Sequence, residues 1–406
     1  MANNLYTTKT ASLKATRADV NNLSTKKIKV NGKDVVTSIR VEDEREYVTA
    51  HDLWCAEVEL ENNEIIFTDG GIYHNSMTPW RTNITEVIDR RCYDSLGFYC
   101  NLKTDSIVSG DYMFNGSNCH LTRWNSDLPK LERGWHMFYG CTELISFKGN
   151  MPSLVGDGNQ VEGSCVDSMF SYSNLSSFEG DMPNLVNGTN MFCYSNLALF
   201  VGDMPNLENG SGMFCGCNVS SFVGDLSKLE NGTDMFNDCN FYSLWDEDMP
   251  KLTNGTRMFK NCDLITFKNR LDSLEQGEEM FAYCNLSSFS SKINGLVWAK
   301  NMFYGNGRMT FAGDLYTLNE GWGMFEETWL DIESLTHIAE TISKMKRNIT
   351  IGLQYDIDLV EAKKLLTEIT NKGWTVYTYL EHHNGITNQI AKFNPEDGYI
   401  SGEDNL

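Results

Sequence analysis

The chain has 406 residues, 41% of them apolar, and a formal net charge of −22. So acidic a surface repels phosphate backbones and anionic lipid, which argues against nucleic acid and membrane as partners. The length allows two or more domains, and no apolar run reaches the roughly 18 to 20 residues of a membrane span.

Taken in chain order, the start (Met1 to Thr8) is polar. With no basic region ahead of an apolar core, no secretory leader is expected. Residues 1–75 read as a small β-containing N-terminal domain for attachment or oligomerisation. Leu13, Thr16, Val20 and Leu23 follow the seam spacing of a short coiled coil. Leu13, Val20 and Leu23 are therefore the candidate oligomerisation residues. The same spacing also fits one amphipathic helix lying on its own domain. Lys27 to Val30 and Val35 to Val41 alternate around Asn31-Gly32, the signature of a β-hairpin. Ala56 to Leu60 and Glu64 to Phe67 read as a second strand pair. Ile84, Val87, Ile88 and Cys92 fall on one helical face, so a covering helix is expected ahead of the first repeat.

A repeat then takes over. A Met-Phe pair recurs from Met113-Phe114 to Met324-Phe325, mostly at spacings of 22 residues, once at 32. Periods of this size signal a solenoid. Six residues after Met comes an apolar residue such as Leu175, Leu197 or Leu286, and three further on a bulky one such as Phe178, Phe200 or Phe289. Leu185, Leu207, Leu229, Leu252, Leu274 and Leu296 form another row. Gly188, Gly210, Gly232, Gly255 and Gly277 follow, usually after Asn, and read as turns in which both residues tolerate positive φ. Each copy is expected to be a short strand, a turn, a second extended or helical piece and another turn. Stacked copies would bury a continuous ladder of Met, Phe and Leu, rising about 4.8 Å per copy if each adds one parallel strand.

Four residues after Met stand Cys141, Cys217, Cys239, Cys262 and Cys284, replaced by Ser117, Ser173, Ser195 or Asn306 in other copies. The row reads as small, weakly polar rungs, with buried free thiols as the expectation and disulfides between rungs as the alternative. Asn174, Asn196, Asn218, Asn240 and Asn285, with Asp263, are expected to bond the backbone of the neighbouring coil.

After the last pair, Ile332, Leu335, Ile338, Ala339, Ile342 and Met345 have helical spacing, with Asp331 as N-cap. Ile349 to Leu353 reads as a strand. Leu359, Ala362, Leu365, Leu366 and Ile369 form a second helix face, capped by Asp358 and ended by Gly373. Trp374 to Tyr379 is a final strand. The layout is thus an N-terminal domain (1–75), a solenoid with its N-terminal cap (76–330), an α/β cap (331–380) and an acidic tail (381–406). The tail's composition predicts disorder unless a partner surface orders it.

No P-loop, GxSxG elbow, HExxH or dinucleotide fingerprint occurs, so no enzyme and no cofactor are expected. No cysteine or histidine cluster has metal spacing. Asp246-Glu247-Asp248 could hold Ca²⁺, and reads equally as a solvated acidic loop. Binding is the better prospect. Tyr172, Tyr194 and Tyr283 share one place, three after Met, and Tyr139 and Tyr304 stand one place earlier. A row of exposed tyrosines could stack on sugar rings or protein side chains, or could be ordinary turn-flanking aromatics half packed on neighbours. Trp245 and Trp298 are similar candidates.

The pattern Met-Phe-x-x-Cys-x-Leu-x-x-Phe, then Gly-Asp-Met-Pro-x-Leu-x-Asn-Gly, resembles the BspA-type leucine-rich repeat of bacterial surface proteins, with relatives in mycoplasmal lipoproteins and phage fibres. The resemblance covers about Tyr112 to Phe325. It departs at an insertion around Gly156 to Cys165 and at an extra residue within Leu244 to Pro250. Leu5 to Leu13 resembles the N-terminal attachment segments of fibre-type virion proteins in tailed, crAss-like phages. Lys372 to Val376 resembles the cap of phage-encoded members of the repeat family. The resemblance implies an α/β repeat solenoid acting as a structural virion protein, a head or tail fibre or decoration. Its implied partners are other virion proteins and a host surface glycan or protein, and its implied assembly is a homo-oligomer. A bacterial surface adhesin is the alternative. A glycan-active enzyme would need paired carboxylates in a recognisable setting.

Overall fold

In the computed structural model the described residues are strand backbone within 28–102, then Thr104, 107–116, 119–156, 166–241, 246–381 and 389–403. The protein is a repeat β-solenoid with few helices, and it forms two compact units. One comprises residues up to Met204 with Phe222–Gly224. The other comprises Pro205–Ser221 with Asp225–Leu406.

Two short hairpins lie in the first unit. β1 (Ile28–Val30) pairs antiparallel with β2 (Lys33–Val35) around Asn31-Gly32, as the alternation predicts. β3 (Ile39–Glu42) pairs with β4 (Arg45–Val48). The seam residues Leu13, Val20 and Leu23 lie outside the described residues, as do 56–60. The expected covering helix is instead a pair of strands, β6 (Ile84–Ile88) and β7 (Arg91–Asp94), running antiparallel. Ile84, Thr85, Val87 and Ile88 are β-branched and stiff at χ1, which favours the pleated chain. β6 also pairs parallel with the first repeat strand, satisfying backbone groups that a sheet edge would leave open.

That repeat strand is β9 (Arg123–Asn125), followed by β10 (Ser146–Lys148), β11 (Ser177–Glu179), β12 (Leu199–Val201) and β13 (Ser221–Val223). With β8 (Tyr99–Leu102) and β5 (Glu64–Ile65), the sheet order is β13-β12-β11-β10-β9-β6-β7-β8-β5. β9 to β12 are parallel and in register, with Phe147 opposite Phe178 and Phe178 opposite Phe200. The insertion after Gly156 leaves this register intact, because Phe138 and Phe170 on either side of it still stack at 4.9 Å.

The second unit repeats the scheme in β14 (Thr266–Phe267), β15 (Ser288–Phe289), β16 (Gly307–Phe311) and β17 (Gly321–Leu330). β18 (Asn348–Leu353) and β19 (Thr375–Leu380) extend the same sheet in parallel. Each is preceded by a helix, α1 (Ile332–Thr341) before β18 and α2 (Leu359–Asn371) before β19. Both N-caps are the expected aspartates. Asp331 accepts from the Ser334 N–H and Asp358 from those of Val360 and Glu361. Gly373, at φ 103°, ends α2. The described part of the tail, 389–403, lies against its own chain. β20 (Ala391–Lys392) pairs with β19, Phe393 and Ile400 are buried, and Lys363 holds Glu403 at 2.7 Å.

The core of each unit is two stacked files of rings. In the first, Phe114, Phe138, Phe170 and Phe192 stack at 4.9 to 5.5 Å, facing Trp124, Phe147, Phe178 and Phe200 on the strands. In the second, Phe214, Phe236, Phe259, Phe281, Phe303 and Phe325 do the same at 5.3 to 5.7 Å. Those spacings are slightly wider than the strand separation of about 4.8 Å that stacks them. The cysteine row fills the gap between turns. Cys239, Cys262 and Cys284 donate their thiols to the carbonyls of Phe214, Phe236 and Phe259 in the preceding turn, at 2.7 to 3.1 Å. All are free, and burial pushes their thiols well above the ordinary range, so they are inert rungs. The asparagine row bonds side chain to side chain rather than to backbone. Asn196 reaches Asn174 at 2.5 Å, Asn240 reaches Asn218 at 3.1 Å and Asn285 reaches Asp263 at 2.9 Å.

The repeat glycines have a different reason from the expected one. Gly210, Gly232, Gly255 and Gly277 have ordinary φ, and a Cβ on each would lie 2.7 to 3.0 Å from the Sδ of Met235, Met258, Met280 or Met302 in the next turn. Glycine is there because methionine needs the space. Gly232→Ala should therefore destabilise by about 1 to 3 kcal/mol through overpacking. Phe281→Ala should cost about 3 to 5 kcal/mol through cavity formation. Urea unfolding of each variant followed by circular dichroism checks both.

Candidate functional site: an aromatic strip

The sharp corners of each copy decide where the surface aromatics stand. Positive φ falls on the residue before Met and again three after it in all ten copies. Three after Met the residues are Gly116, Gly140, Tyr172, Tyr194, Gly216, Asp238, Asn261, Tyr283, Gly305 and Glu327. Gly, Asn and Asp suit this conformation, whereas a tyrosine there carries a steric cost of roughly 1 to 2 kcal/mol. Tyr172 and Tyr194 hold φ of 56° and 57° and are each 53% exposed. They are thus neither conformationally favoured nor buried.

In the first unit these rings do not stand alone. Tyr172 and Tyr194 stack at 5.3 Å, and Tyr139 meets Tyr172 at 5.4 Å. His136 lies 4.7 Å from Tyr139, Trp135 stacks on His136 at 5.1 Å, and Tyr112 meets both at 5.2 Å. Six rings therefore form one continuous strip, from Tyr112 through Trp135, His136, Tyr139 and Tyr172 to Tyr194. The row of exposed tyrosines was legible in the sequence; Tyr112, Trp135 and His136 were not singled out. The signal for them was the place before Met, held by Tyr112 and His136, with Trp135 beside it.

The strip is braced by charge. Asp111 pairs with Arg133 at 2.7 Å and accepts the Trp135 N–H at 3.0 Å. Burial raises the Asp111 carboxyl despite the guanidinium. Burial also lowers the His136 imidazole below its usual 6.5, against the opposing pull of Asp167 and Asp111. The ring is therefore neutral at pH 7 and stacks without charge.

In the second unit Tyr283 and Tyr304 meet edge to face at 5.1 Å. Gly305 makes room for this, because a Cβ there would lie 2.7 Å from the Tyr283 ring. Burial raises the Tyr304 hydroxyl, and its hydrogen bond to Glu327 adds to this. Trp298 stands apart from this pair in the sequence pattern and is 49% exposed. Trp245 lies outside the described residues.

An open groove of about 690 Å³ also runs beside the first unit's strands. Its polar groups are already engaged between turns. Asp127 accepts the Asn150 N–H at 2.8 Å, Asn150 that of Asp181 at 2.9 Å and Asp181 that of Asp203 at 3.0 Å, while Lys148 holds Glu179 at 2.5 Å. In the acidic loop, Asp248 accepts the Arg270 N–H at 2.9 Å. Among the described residues no group of three or more His, Cys, Asp or Glu side chains converges as a metal site. Among the same residues no helix is long and apolar enough to cross a membrane. Comparison with models of known protein families, with curated proteins and with solved structures found no match.

If Tyr194 serves a surface role, Tyr194→Asn should change stability by less than about 1 kcal/mol, as lost stacking offsets relieved backbone strain. Phe192→Ala, two residues away in the core, should cost about 3 to 5 kcal/mol. Thermal and urea unfolding of both variants separate the rows. Because the folded His136 titrates below the unfolded value of 6.5, its contribution to stability is complete above that pH and falls as the solution is acidified through it. Proton titration followed by NMR should place His136 below 6.5.

Proposed function

We propose that this protein is a non-enzymatic structural protein of a tailed-phage virion, a head or tail fibre or decoration built on BspA-type leucine-rich repeats. In this reading residues 1–75 attach and oligomerise the protein, Leu13, Val20 and Leu23 forming the seam. Residues 331–380 cap the solenoid, and the repeat surface meets a host glycan or protein or another virion protein. The observation that carries the binding role is the six-ring strip from Tyr112 to Tyr194. Four of its members, Tyr112, His136, Tyr172 and Tyr194, hold left-handed backbone, and at the place of Tyr172 and Tyr194 most sibling copies carry Gly, Asp or Asn. Solenoid stability does not require aromatic rings there, so a contact surface accounts for their presence. Flat amphipathic rings of this kind supply contact area at little conformational cost.

Two measurements test the proposal. Antibodies against the protein should label purified phage particles; labelling of a bacterial surface with none on particles would overturn the virion assignment in favour of an adhesin. Labelled full-length protein should bind host cells or partner particles, and the double variant Tyr172→Asn, Tyr194→Asn should lower that binding about tenfold or more with its fold unchanged. Undiminished binding by the double variant would remove the strip from the contact surface.

A further inference from the structure

The second unit carries a ladder of single-residue parallel bridges through Asn209, Asn231, Asn254, Gln276, Trp298 and Glu320. Four of these residues use the side chain to close their own turn. Asn209, Asn231 and Asn254 accept the backbone N–H two residues on at 3.0 to 3.1 Å, and Glu320 does so from Trp322 at 2.9 Å. An indole has no acceptor, so Trp298 gives up this bond. It does not recover the loss by burial, since it is 49% exposed. Its backbone N–H and C=O are nonetheless both tied to the preceding turn. The Trp298 N–H donates to the Glu275 carbonyl at 3.0 Å, and the Trp298 carbonyl accepts the Gly277 N–H at 2.8 Å.

The indole lies in an open groove of about 500 Å³ whose other walls are polar: Thr256, Gln276, Glu278, Lys300 and Glu320. Lys300 and Glu278 pair with each other at 3.3 Å and are both half exposed, which leaves the ammonium's other N–H donors and the carboxylate's other lone pairs for a ligand. A rigid flat apolar surface ringed by donors and acceptors matches one ligand chemistry well. A pyranose presents an apolar C–H face to an aromatic ring and hydroxyls around its edge. Glu278 and Glu320 outnumber Lys300, so an anionic sugar or a phosphate would meet net repulsion here.

We propose that this groove is a saccharide subsite in which the Trp298 indole stacks on the face of an uncharged pyranose. Gln276, Glu278 and Lys300 take up the ring hydroxyls. The site rests on its own residues and depends neither on the virion assignment nor on the tyrosine strip.

The test uses the full-length chain on an array of neutral, amino and acidic glycans, followed by calorimetry with the strongest neutral one. Trp298→Asn restores the residue that the ladder itself uses at Asn209, Asn231 and Asn254, so the variant keeps its fold, which an unchanged melting temperature verifies. Binding of neutral glycans is expected, weakened about tenfold or more in Trp298→Asn and largely kept in Trp298→Phe. Equal binding by wild type and Trp298→Asn overturns the assignment. So does an array with no neutral binder, or one on which only acidic glycans bind.

Discussion

Everything in this solenoid depends on the corner at which Met and Phe are buried side by side. In an extended strand adjacent side chains point to opposite faces, and one of the two would meet solvent. Here both are fully buried in every copy, from Met113 and Phe114 to Met324 and Phe325. Left-handed residues on either side of the pair turn the chain so tightly that both side chains face inward. The corner is then tied to its neighbour through the backbone. Phe138 donates to the Met169 carbonyl at 2.8 Å, and Phe281 to that of Met302 at 2.9 Å. Because these bonds run only to the adjacent turn, each turn is stabilised by its neighbours alone, and cohesion is close to a sum of such pairs.

The corner also sets what neighbouring positions can be. Methionine is long and unbranched, and its thioether reaches across to the preceding turn, where only glycine leaves room. A second glycine row answers to the backbone. At Gly149, Gly180 and Gly202 a Cβ would come within 2.1 to 2.2 Å of a carbonyl oxygen in the turn before. Cys, Ser, Asn and Thr share one rung because each can donate to a buried carbonyl. Asn306 bonds those of Phe281 and Phe303 at 2.8 Å, and Ser173 that of Phe170 at 2.7 Å. The polar members of this rung thus satisfy buried carbonyls of their own turn or of the one before.

The period, the apolar rows, the free thiol rungs, both terminal helices and their aspartate caps were legible in the sequence. They were so because each is a local pattern or a repeated one. What was not legible was set by contacts distant in sequence. The spacing of Ile84, Val87, Ile88 and Cys92 fits a helix, but β6 lies against β9, and that neighbour decides the conformation. Asn-Gly suggested positive φ, while the space needed by a methionine 25 or 26 residues later was the true constraint on Gly210 and Gly232. The tail looked disordered by composition, yet in its described part, 389–403, Phe393 and Ile400 are buried, β20 pairs with β19 and Glu403 pairs with Lys363 of α2. Of the strip, the tyrosines three after Met could be aligned by copy. Their joining to Tyr139, His136, Trp135 and Tyr112 needed the turns to be stacked.

A repeat protein carries its own comparison set, because each row records which residues one structural position accepts. Inward rows vary little, and their few exchanges keep volume or a hydrogen bond. A departure at an exposed place is different when it forfeits something its siblings have. Tyr172 and Tyr194 forfeit the conformational ease of Gly140 and Gly216, and Trp298 forfeits the turn-closing bond of Asn231 and Asn254. Neither recovers the loss by burial, since all three rings are about half exposed. Burial in the solenoid core therefore does not explain them, and that supports the contact roles proposed for them. That separates these rings from exposed residues such as Val223 and Ile265, which stand on or beside strands at no conformational cost and need no such explanation.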